Sequence, residues 1–557
     1  MDIINIEESK VKLPTLKYRG VYLHSKYNPE KEAVSFIEKK YKPANVQILI
    51  GYGLGYIYNE LENKKSSQEK IIVIDPLISM HKKSIDLEKK IFLDKVNENS
   101  LRKFFNEHIS VTDNLNIIIS INYDKVLNED LKSILAILEE KIKSNDIVEN
   151  TIQFFSYQWH ENYIKNLKYA AKDNPIDQFK KGFSCPIIIA SGGPSLTKQI
   201  PLLKKYRDRF ILIAAGTTIN SLLINDLKPD FAVSVDGGDI NYKHFENLHI
   251  EDFPLIYCPT VHHGIRGKFK EGYYFLPLIE SNLKNHYTRF SKNQVDIIMD
   301  GSSVANYAYN LALLMTTGPV ALIGQDLAYT NGLTHADGNL NQKSVQNNSK
   351  LTRRLIEREG YFGETVLTDN VFLQMRDVFE AVLQSFDAHS RSFNCTEGGL
   401  KISSFKQMPF VNFLEDFAKT SVQLPTKDNR SKSIHTQRLK QELSKDIFNI
   451  KKLIKLFEKA LYLLENNNSK EEYEVHTINE LDKIDNEIQT LLKNTSLEFA
   501  FNLINLRLFK YFKIDDSLNR EQKFKISFEQ NKYMYSEMFN VSKDSLNLIE
   551  KEMESLA

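Results

Sequence analysis

The chain has 557 residues, too many for one ordinary core, and about 100–200 residues per domain points to three domains. Lys and Arg number 73 against 72 Asp and Glu, so no global charge favours nucleic acid or an anionic membrane, and any phosphate site must be local. Cys185, Cys258 and Cys395 are far apart and odd in number, which fits neither a disulfide framework nor a Cys-rich metal site and agrees with a reducing cytoplasm. The opening MDIINIEESK carries acids where a signal peptide carries bases. The longest apolar stretch, Leu311 to Ile323, is broken by Thr316, Thr317, Gly318 and Pro319, so it reads as helix, turn and strand and not as a membrane span.

Residues 1–150 alternate short apolar runs with amphipathic charged segments, the pattern of an α/β domain. Val46 to Ile50 runs into Gly51-Tyr-Gly-Leu-Gly55, Ile71 to Ile74 ends at Asp75, and Leu115 to Ile119 is a third run. A glycine-rich turn after one strand and an acid at the end of the next are Rossmann-like, and the same residues serve packing alone in many α/β proteins. Both readings stand at this level. Residues 150–180 read as a connecting helix ending at Asn174-Pro175, with Trp159 and His160 as packing residues.

The domain from 151 to 425 is the informative one. Pro186 to Ala190, Phe210 to Ala215, Phe231 to Val235, Leu255 to Cys258, Val295 to Met299 and Val320 to Ile323 form a series of buried strands that end repeatedly in Gly, Asp or Ser. Such endings line the carboxyl edge of a parallel sheet, where ligands bind. Residues 426–557 open on PTKDNRSKS and then carry Leu439, Leu443, Ile447, Ile450, Ile454, Phe457, Leu461 and Leu464 in steps of three and four. That is the stripe of a long amphipathic helix, and segments near 472–494, 496–512 and 520–553 complete a helical domain. Its charged faces are solvated surface or a docking surface for a protein substrate.

Ser191-Gly-Gly-Pro-Ser-Leu196 follows a strand and precedes a helix. Gly192 and Gly193 remove side chains where backbone meets a ligand, Pro194 presets the turn, and Ser195 can cap the helix and donate to phosphate. The loop lacks the Gly-Lys-Ser/Thr ending of a Walker loop, so a structural turn and a phosphate site are both open. Gly301, Ser302 and Ser303 precede a second helix start, where anion binding and plain capping are equally compatible. Adjacent His262 and His263 lack metal-ligand spacing, and the acids Asp236 and Asp239 are separated by two residues, so no metal site is expected and magnesium is compatible but not required.

Six motifs in one order resemble the motility-associated factor (Maf) flagellin glycosyltransferase family, whose central domain is grouped with the hydroxymethylpterin diphosphokinase MptE-like domains. They are Gly51 to Tyr56; Ser191 to Leu196; Ala215-Gly-Thr-Thr-Ile-Asn220 with Lys228-Pro-Asp230 and Ser234-Val-Asp236; Gly301 to Asn306; Gly324-Gln-Asp-Leu-Ala-Tyr329 followed by Thr334-His-Ala336; and Asn394 to Gly399. The resemblance implies a Rossmann-like N-terminal domain, a central sialyltransferase-like parallel α/β domain and a C-terminal α-helical domain. It implies transfer of a pseudaminic- or legionaminic-type nonulosonic acid from its CMP-activated form to Ser or Thr hydroxyls of flagellin, in the cytoplasm and with no tightly bound cofactor. By the same resemblance Gly192, Gly193, Pro194 and Ser195 contact phosphate or ribose, and Thr217, Asn220 and Asp236 hold the cytidine or sugar.

Glycosyl transfer to a hydroxyl needs a base beside the nucleophile and relief for the departing phosphate. His335 is the first candidate base, with Asp326 and Glu397 as rivals. Gln325 and Asp326 could instead orient donor hydroxyls, and Thr396 to Gly399 could present backbone N–H groups to the sugar carboxylate. Arg266, Arg353 and Arg354 are the cations considered for phosphate. Competing readings are a magnesium-dependent diphosphokinase, an S-adenosylmethionine-binding module around Gly51 to Asp75, and a helical scaffold, which leaves the polar strand ends unexplained.

Overall fold

In the computed structural model the described residues are 4–556 apart from 67–68, 79–90, 111–112, 171, 249, 292, 331–332, 334, 337–354, 425–432, 468–471 and 513–517. They divide into two compact units, one of residues 1–154, 467–474 and 503–534, the other of residues 155–466, 475–502 and 535–557. The helices after residue 433 are thus shared between the two units.

The first unit begins with an antiparallel ribbon, Ile4–Glu8, Pro14–Tyr18 and Val21–Tyr22. Helix α1 (Pro29–Lys40) starts where Asn28 accepts from Lys31 N–H and carries its proline in the first turn, both favoured there. A parallel four-stranded sheet follows, with β1 (Val46–Ile50), β2 (Lys70–Ile74), β3 (Ile91–Leu93) and β4 (Leu115–Ile119) in the order β3-β2-β1-β4. All of β1 is buried because alternate residues enter different cores. Val46, Ile48 and Ile50 pack with Leu101 and Phe105, and Leu49 packs with Ala33, Ile37 and Leu61.

The second unit holds a nine-stranded sheet. Its strands are Asn174–Pro175 at one edge, β5 (Ile187–Ala190), β6 (Ile211–Ala215), β7 (Phe231–Ser234), β8 (Leu255–Tyr257), β9 (Gly272–Tyr274), β10 (Val320–Ile323), β11 (Ser392–Asn394) and β12 (Lys406–Gln407). The order from the other edge is β12-β11-β10-β5-β6-β7-β8-β9 and then Asn174–Pro175, every pairing parallel. Strand order reverses at β5 and β10, and the carboxyl-end crevice at such a switch point is where open parallel sheets bind ligands. One expected strand lies elsewhere: within Val295–Met299 only Ile297–Ile298 is extended, and it pairs with Leu276–Pro277 in a separate two-stranded sheet. The connecting helix is longer than expected, running from Asn128 to Ala170.

The long helix Ser433–Asn467 buries Leu439, Leu443, Ile450, Phe457 and Leu464, as its stripe predicts. Two acids also face inward, Glu442 and Asp446, and each has a partner. His286 Nε2–H donates to Asp446 Oδ2 at 2.6 Å, the Tyr163 hydroxyl and His286 Nδ1 share a 2.6 Å bond, and Arg289 reaches both Glu442 and Asp446 at 3.0 Å. This buried clasp ties three helices of the second unit together. Among the described residues no helix is long and apolar enough to cross a membrane, and no three His, Cys, Asp or Glu side chains converge as metal ligands.

Candidate functional site

The loop 191–195 leaves β5 at the switch point and meets the strand end of β10. Ser191 N–H donates to Ile323 O at 2.9 Å and Gly193 N–H to Gly324 O at 2.8 Å. Asp326, 2 % exposed, sits beneath the loop, and its Oδ1 accepts from Ser195 Oγ at 2.6 Å and Ser195 N–H at 3.2 Å. Ser195 precedes the helix Leu196–Lys205 but makes no side-chain cap; its hydroxyl is spent on Asp326. Gly193 is not in the left-handed region. A Cβ there would run into Asp326 Oδ1 and stand 2.5 Å from Gly324 O, so Asp326 and the Gly324 carbonyl together require glycine at 193.

A second loop closes on the backbone of the same residue. Leu400 N–H donates to Asp326 O at 2.7 Å, and a Cβ on Gly399, φ +71°, would stand 2.5 Å from Asp326 Cα. Thr396 Oγ1 accepts from Gln325 N–H at 3.2 Å, and Gln199 Nε2 donates to the carbonyl of Thr396 at 3.2 Å. Leu327 and Glu397 both have positive φ, 49° and 55°. Such non-glycine conformations cost about 1–3 kcal/mol each and gather at functional sites. Burial pushes the Asp326 carboxyl up, and the Ser195 hydroxyl pulls it back. Ser191 Oγ, Gln199 Oε1 and Gln325 Oε1 are buried there with no hydrogen-bond partner among the described residues. Buried polar atoms left open in one place point to water or a ligand.

The other sequence candidates extend along the same carboxyl edge. Ala336 N–H donates to Gly192 O at 2.8 Å, which brings the half-buried His335 beside the loop; Gly332 and Thr334 of its motif lie outside the described residues. Glu397 Oε2 accepts from Phe410 N–H at 3.0 Å, at the start of the helix Phe410–Phe417. Thr217 and Asn220 follow β6, where Asn220 Nδ2 donates to His244 O at 3.1 Å, and Asp236 is exposed after β7. Ser303 caps the helix Val304–Met315 by accepting from Asn306 N–H at 3.3 Å, and the hydroxyls of Ser302 and Ser303 both donate to Asn306 Oδ1. A Cβ on Gly301 would stand 2.9 Å from Asn306 Cβ. The cap and the Asn306 side chain account for the hydroxyls of Ser302 and Ser303.

Residues 161–332 match the 6-hydroxymethylpterin diphosphokinase MptE-like family. An uncharacterized protein of Treponema pallidum (strain Nichols) is 32% identical over 89 residues, 16% of this chain and 41% of that protein, so the chain spans less than half the length of that relative. The solved structure of the Maf glycosyltransferase from Magnetospirillum magneticum AMB-1 is similar over 99% of this chain and 90% of that one, with TM-score 0.54 and 14% identity. This chain has the Maf glycosyltransferase fold. Within the Maf fold, loop 191–195, the strand end at 324–327 and loop 395–400 form one braced unit, and the 217, 236 and 301 turns continue along the same edge.

Of the three cations considered, Arg266 is committed elsewhere. Arg266 is fully buried, donates to both oxygens of Asp173 at 2.7 Å and to Phe269 O; Arg353 and Arg354 lie outside the described residues. Sequence reasoning missed Lys198, in the first turn after Ser195, whose Nζ donates to Glu397 O. It also missed Glu280, 3 % exposed beyond β8, which accepts from Thr260 Oγ1 and whose pKa burial pushes up to about 8. Neither belongs to a motif; Lys198 was legible only as a lysine three positions past Ser195.

In the first unit the Gly51–Gly55 turn is filled by the protein itself. Asp75, fully buried, accepts from Tyr52 N–H, Gly53 N–H and Tyr123 Oη at 2.8, 3.1 and 2.8 Å through Oδ2, and from Leu77 N–H at 2.8 Å through Oδ1. A Cβ on Gly51 would stand 2.5 Å from the Tyr123 ring, and one on Gly53 2.7 Å from His24 Cε1. The acid that would take a ribose hydroxyl is already committed, so the packing reading of this turn holds in the structure.

Proposed function

We propose that the chain is a glycosyltransferase that moves a nonulosonic acid from a CMP-activated donor to Ser or Thr hydroxyls of flagellin. The observation that carries the reading is the braced pair of loops at the β5/β10 switch point, with open buried polar atoms beside a helix start. In this reading the donor phosphate lies at Gly192 to Ser195, with Lys198 as its cation. The acceptor oxygen forms a bond to the anomeric carbon as the bond from that carbon to the phosphate oxygen breaks. CMP leaves with the electron pair, and the hydroxyl proton passes to His335. Asp326 and Glu397 serve the loops, Asp326 through Ser195 and Glu397 through Phe410 N–H, which favours His335 among the three. Thr396 to Gly399, which pack on Gln325 and Asp326, would present backbone N–H groups to the sugar carboxylate. The helices after residue 433 are the proposed flagellin-docking region, and the reaction is placed in the cytoplasm without a required metal.

The match to the diphosphokinase family over residues 161–332 supports a second reading, magnesium-dependent phosphoryl transfer. Calorimetry on the intact protein with CMP, ATP–Mg²⁺ and S-adenosylmethionine separates them. Binding of CMP alone, weakened in Ser195→Ala, is expected. Binding of ATP–Mg²⁺ without CMP overturns the proposal in favour of the kinase reading.

A further inference from the structure

The carboxyl edge of the second unit carries apolar side chains that the donor reading does not use. β9 (Gly272–Tyr274) is followed after one residue by Leu276–Pro277, which pairs in parallel with Ile297–Ile298. Leu278 and Met299 therefore leave this ribbon side by side, and Ile279 N–H donates to Asp300 Oδ1 at 3.0 Å, which holds the two ends together. Leu278 is 54 % exposed, with Ile279, Ile297 and Met299 exposed beside it, while Leu276, Leu283 and Ile298 fill the core beneath. Single exposed apolar residues are ordinary. Four on two adjoining strand ends, where turn chemistry favours Gly, Asn, Asp, Ser or Pro, make a patch.

The patch borders the crevice edge. Leu278 and Ile279 lie past the carboxyl end of β9. From Met299 the chain runs through Gly301 to Ser303 into the helix Val304–Met315, and a Cβ on Gly216 would stand 3.5 Å from Val304 Cγ2, which sets that end against the turn after β6. Between the two, the turn after β8 ties the segments: Thr260 Oγ1 donates to Glu280 Oε1, and His262 Nε2 pairs with Asp239 Oδ1 at 3.1 Å. Ile240, next to Asp239, is itself 78 % exposed. β6 and β9 are one and four strand spacings from β5, about 5 and 19 Å. The patch thus begins within about 20 Å of loop 191–195, a span that six residues of extended chain cover.

We infer that the rim formed by Leu278, Ile279, Ile297 and Met299 docks the stretch of the acceptor polypeptide that flanks the reacting hydroxyl, through apolar side chains up to about six residues from the accepting Ser or Thr. The inference rests on the protein-acceptor part of the reading above and not on the identity of the donor. Chemistry rules out the donor as occupant: a sugar nucleotide is charged and polar, gains nothing from four hydrocarbon side chains, and would meet the Asp300 carboxylate at the margin. Size rules out a stable second copy. At these exposures the four side chains present roughly 300 Å², the range of functional patches on monomers, against ~800 Å² per partner in a standard stable interface. A contact of that size binds weakly and releases quickly, as turnover on a protein substrate requires, and it leaves the helices after residue 433 to hold more distant parts of the same acceptor.

The test is equilibrium binding of unglycosylated flagellin monomer to the full chain, without donor, in the wild type, in Leu278→Asn and in Met299→Gln, near-isosteric changes at exposed positions. The urea midpoint and CMP affinity of each protein are measured alongside. Each variant should weaken flagellin binding about fivefold and the double variant at least tenfold, with CMP affinity and urea midpoint unchanged. Flagellin binding that is equal in the wild type and all variants overturns the docking rim and leaves the protein-acceptor reading standing. A loss that comes with an equal loss of CMP affinity or of the urea midpoint also overturns the rim, because the effect then belongs to the donor site or to folding. A wild type with no affinity for flagellin overturns both the rim and the acceptor reading, while its CMP affinity reports on the donor separately. Self-association of the wild type that the variants abolish, read by light scattering, overturns the inference in favour of a second copy.

Discussion

Asp326 and Gly193 offer a test of the site's construction that does not depend on the ligand. Gly193→Ala places a methyl group against Asp326 Oδ1 and 2.5 Å from Gly324 O. Overpacking of this kind costs about 1–3 kcal/mol, and if the carboxylate is pushed aside, the two Ser195 bonds to a charged acceptor are lost at about 1.5–3 kcal/mol each. Asp326→Ala loses those bonds outright and vacates the space that the methyl group needs, although Gly324 O remains close. The two changes should therefore be strongly non-additive: the double variant should be about 2 kcal/mol more stable than the sum of the single effects. Urea unfolding followed by fluorescence reads this directly, because the chain's only tryptophan, Trp159, lies in the second unit with the site. Costs that add to within about 0.5 kcal/mol, as for independent positions, would refute the claim that Asp326 shares in the requirement for glycine at 193.

Lys198→Gln should weaken CMP binding about tenfold, the low end for a charge-assisted contact, and added salt should narrow the gap between variant and wild type; equal affinities at low salt would remove Lys198 from the phosphate site. Glu280, with a folded pKa of about 8 against 4.5 for the free group, binds more protons folded than unfolded between those values. Its contribution to stability is whole below about pH 4.5 and is lost as pH rises through 8. At about 1.4 kcal/mol per unit the loss amounts to several kcal/mol, so Glu280→Gln should flatten the decline of the urea midpoint between pH 5 and 8, and an unchanged slope would contradict it. Gly53→Ala, at φ +55° and against the His24 ring, should destabilise the first unit by about 1–3 kcal/mol and leave CMP affinity within twofold; a collapse of CMP binding would place the donor in the first unit instead.

Local chemistry carried the reading where it dominates the structure. Val46–Ile50 and Ile187–Ala190 are apolar at nearly every position because both faces of their sheets are covered, and the Leu439–Leu464 stripe follows one helix face. Serine before a helix is legible locally as a cap or a phosphate donor, but the partner of Ser195 is Asp326, 131 residues away, beyond any local pattern. The same separation hid the reason for Gly193. Gly51–Gly55 carries the local signature of a cofactor turn, and only the tertiary approach of Tyr123 and His24 fills it. Glu442 and Asp446 look like solvated positions of a helix until His286 and Arg289 arrive against them. Strands of two or three residues, Gly272–Tyr274, Ser392–Asn394 and Lys406–Gln407, are too short to show a period, and Ile297–Ile298 has a strand's composition without a place in the main sheet.

Asp326 is bonded through its side chain to one loop and through its backbone to the other. The loops 191–195 and 395–400 therefore share one anchor: a substitution at Ser195 and one at Gly399, far apart in the chain, each disturb the residue that holds the other loop, so their effects on stability should be coupled.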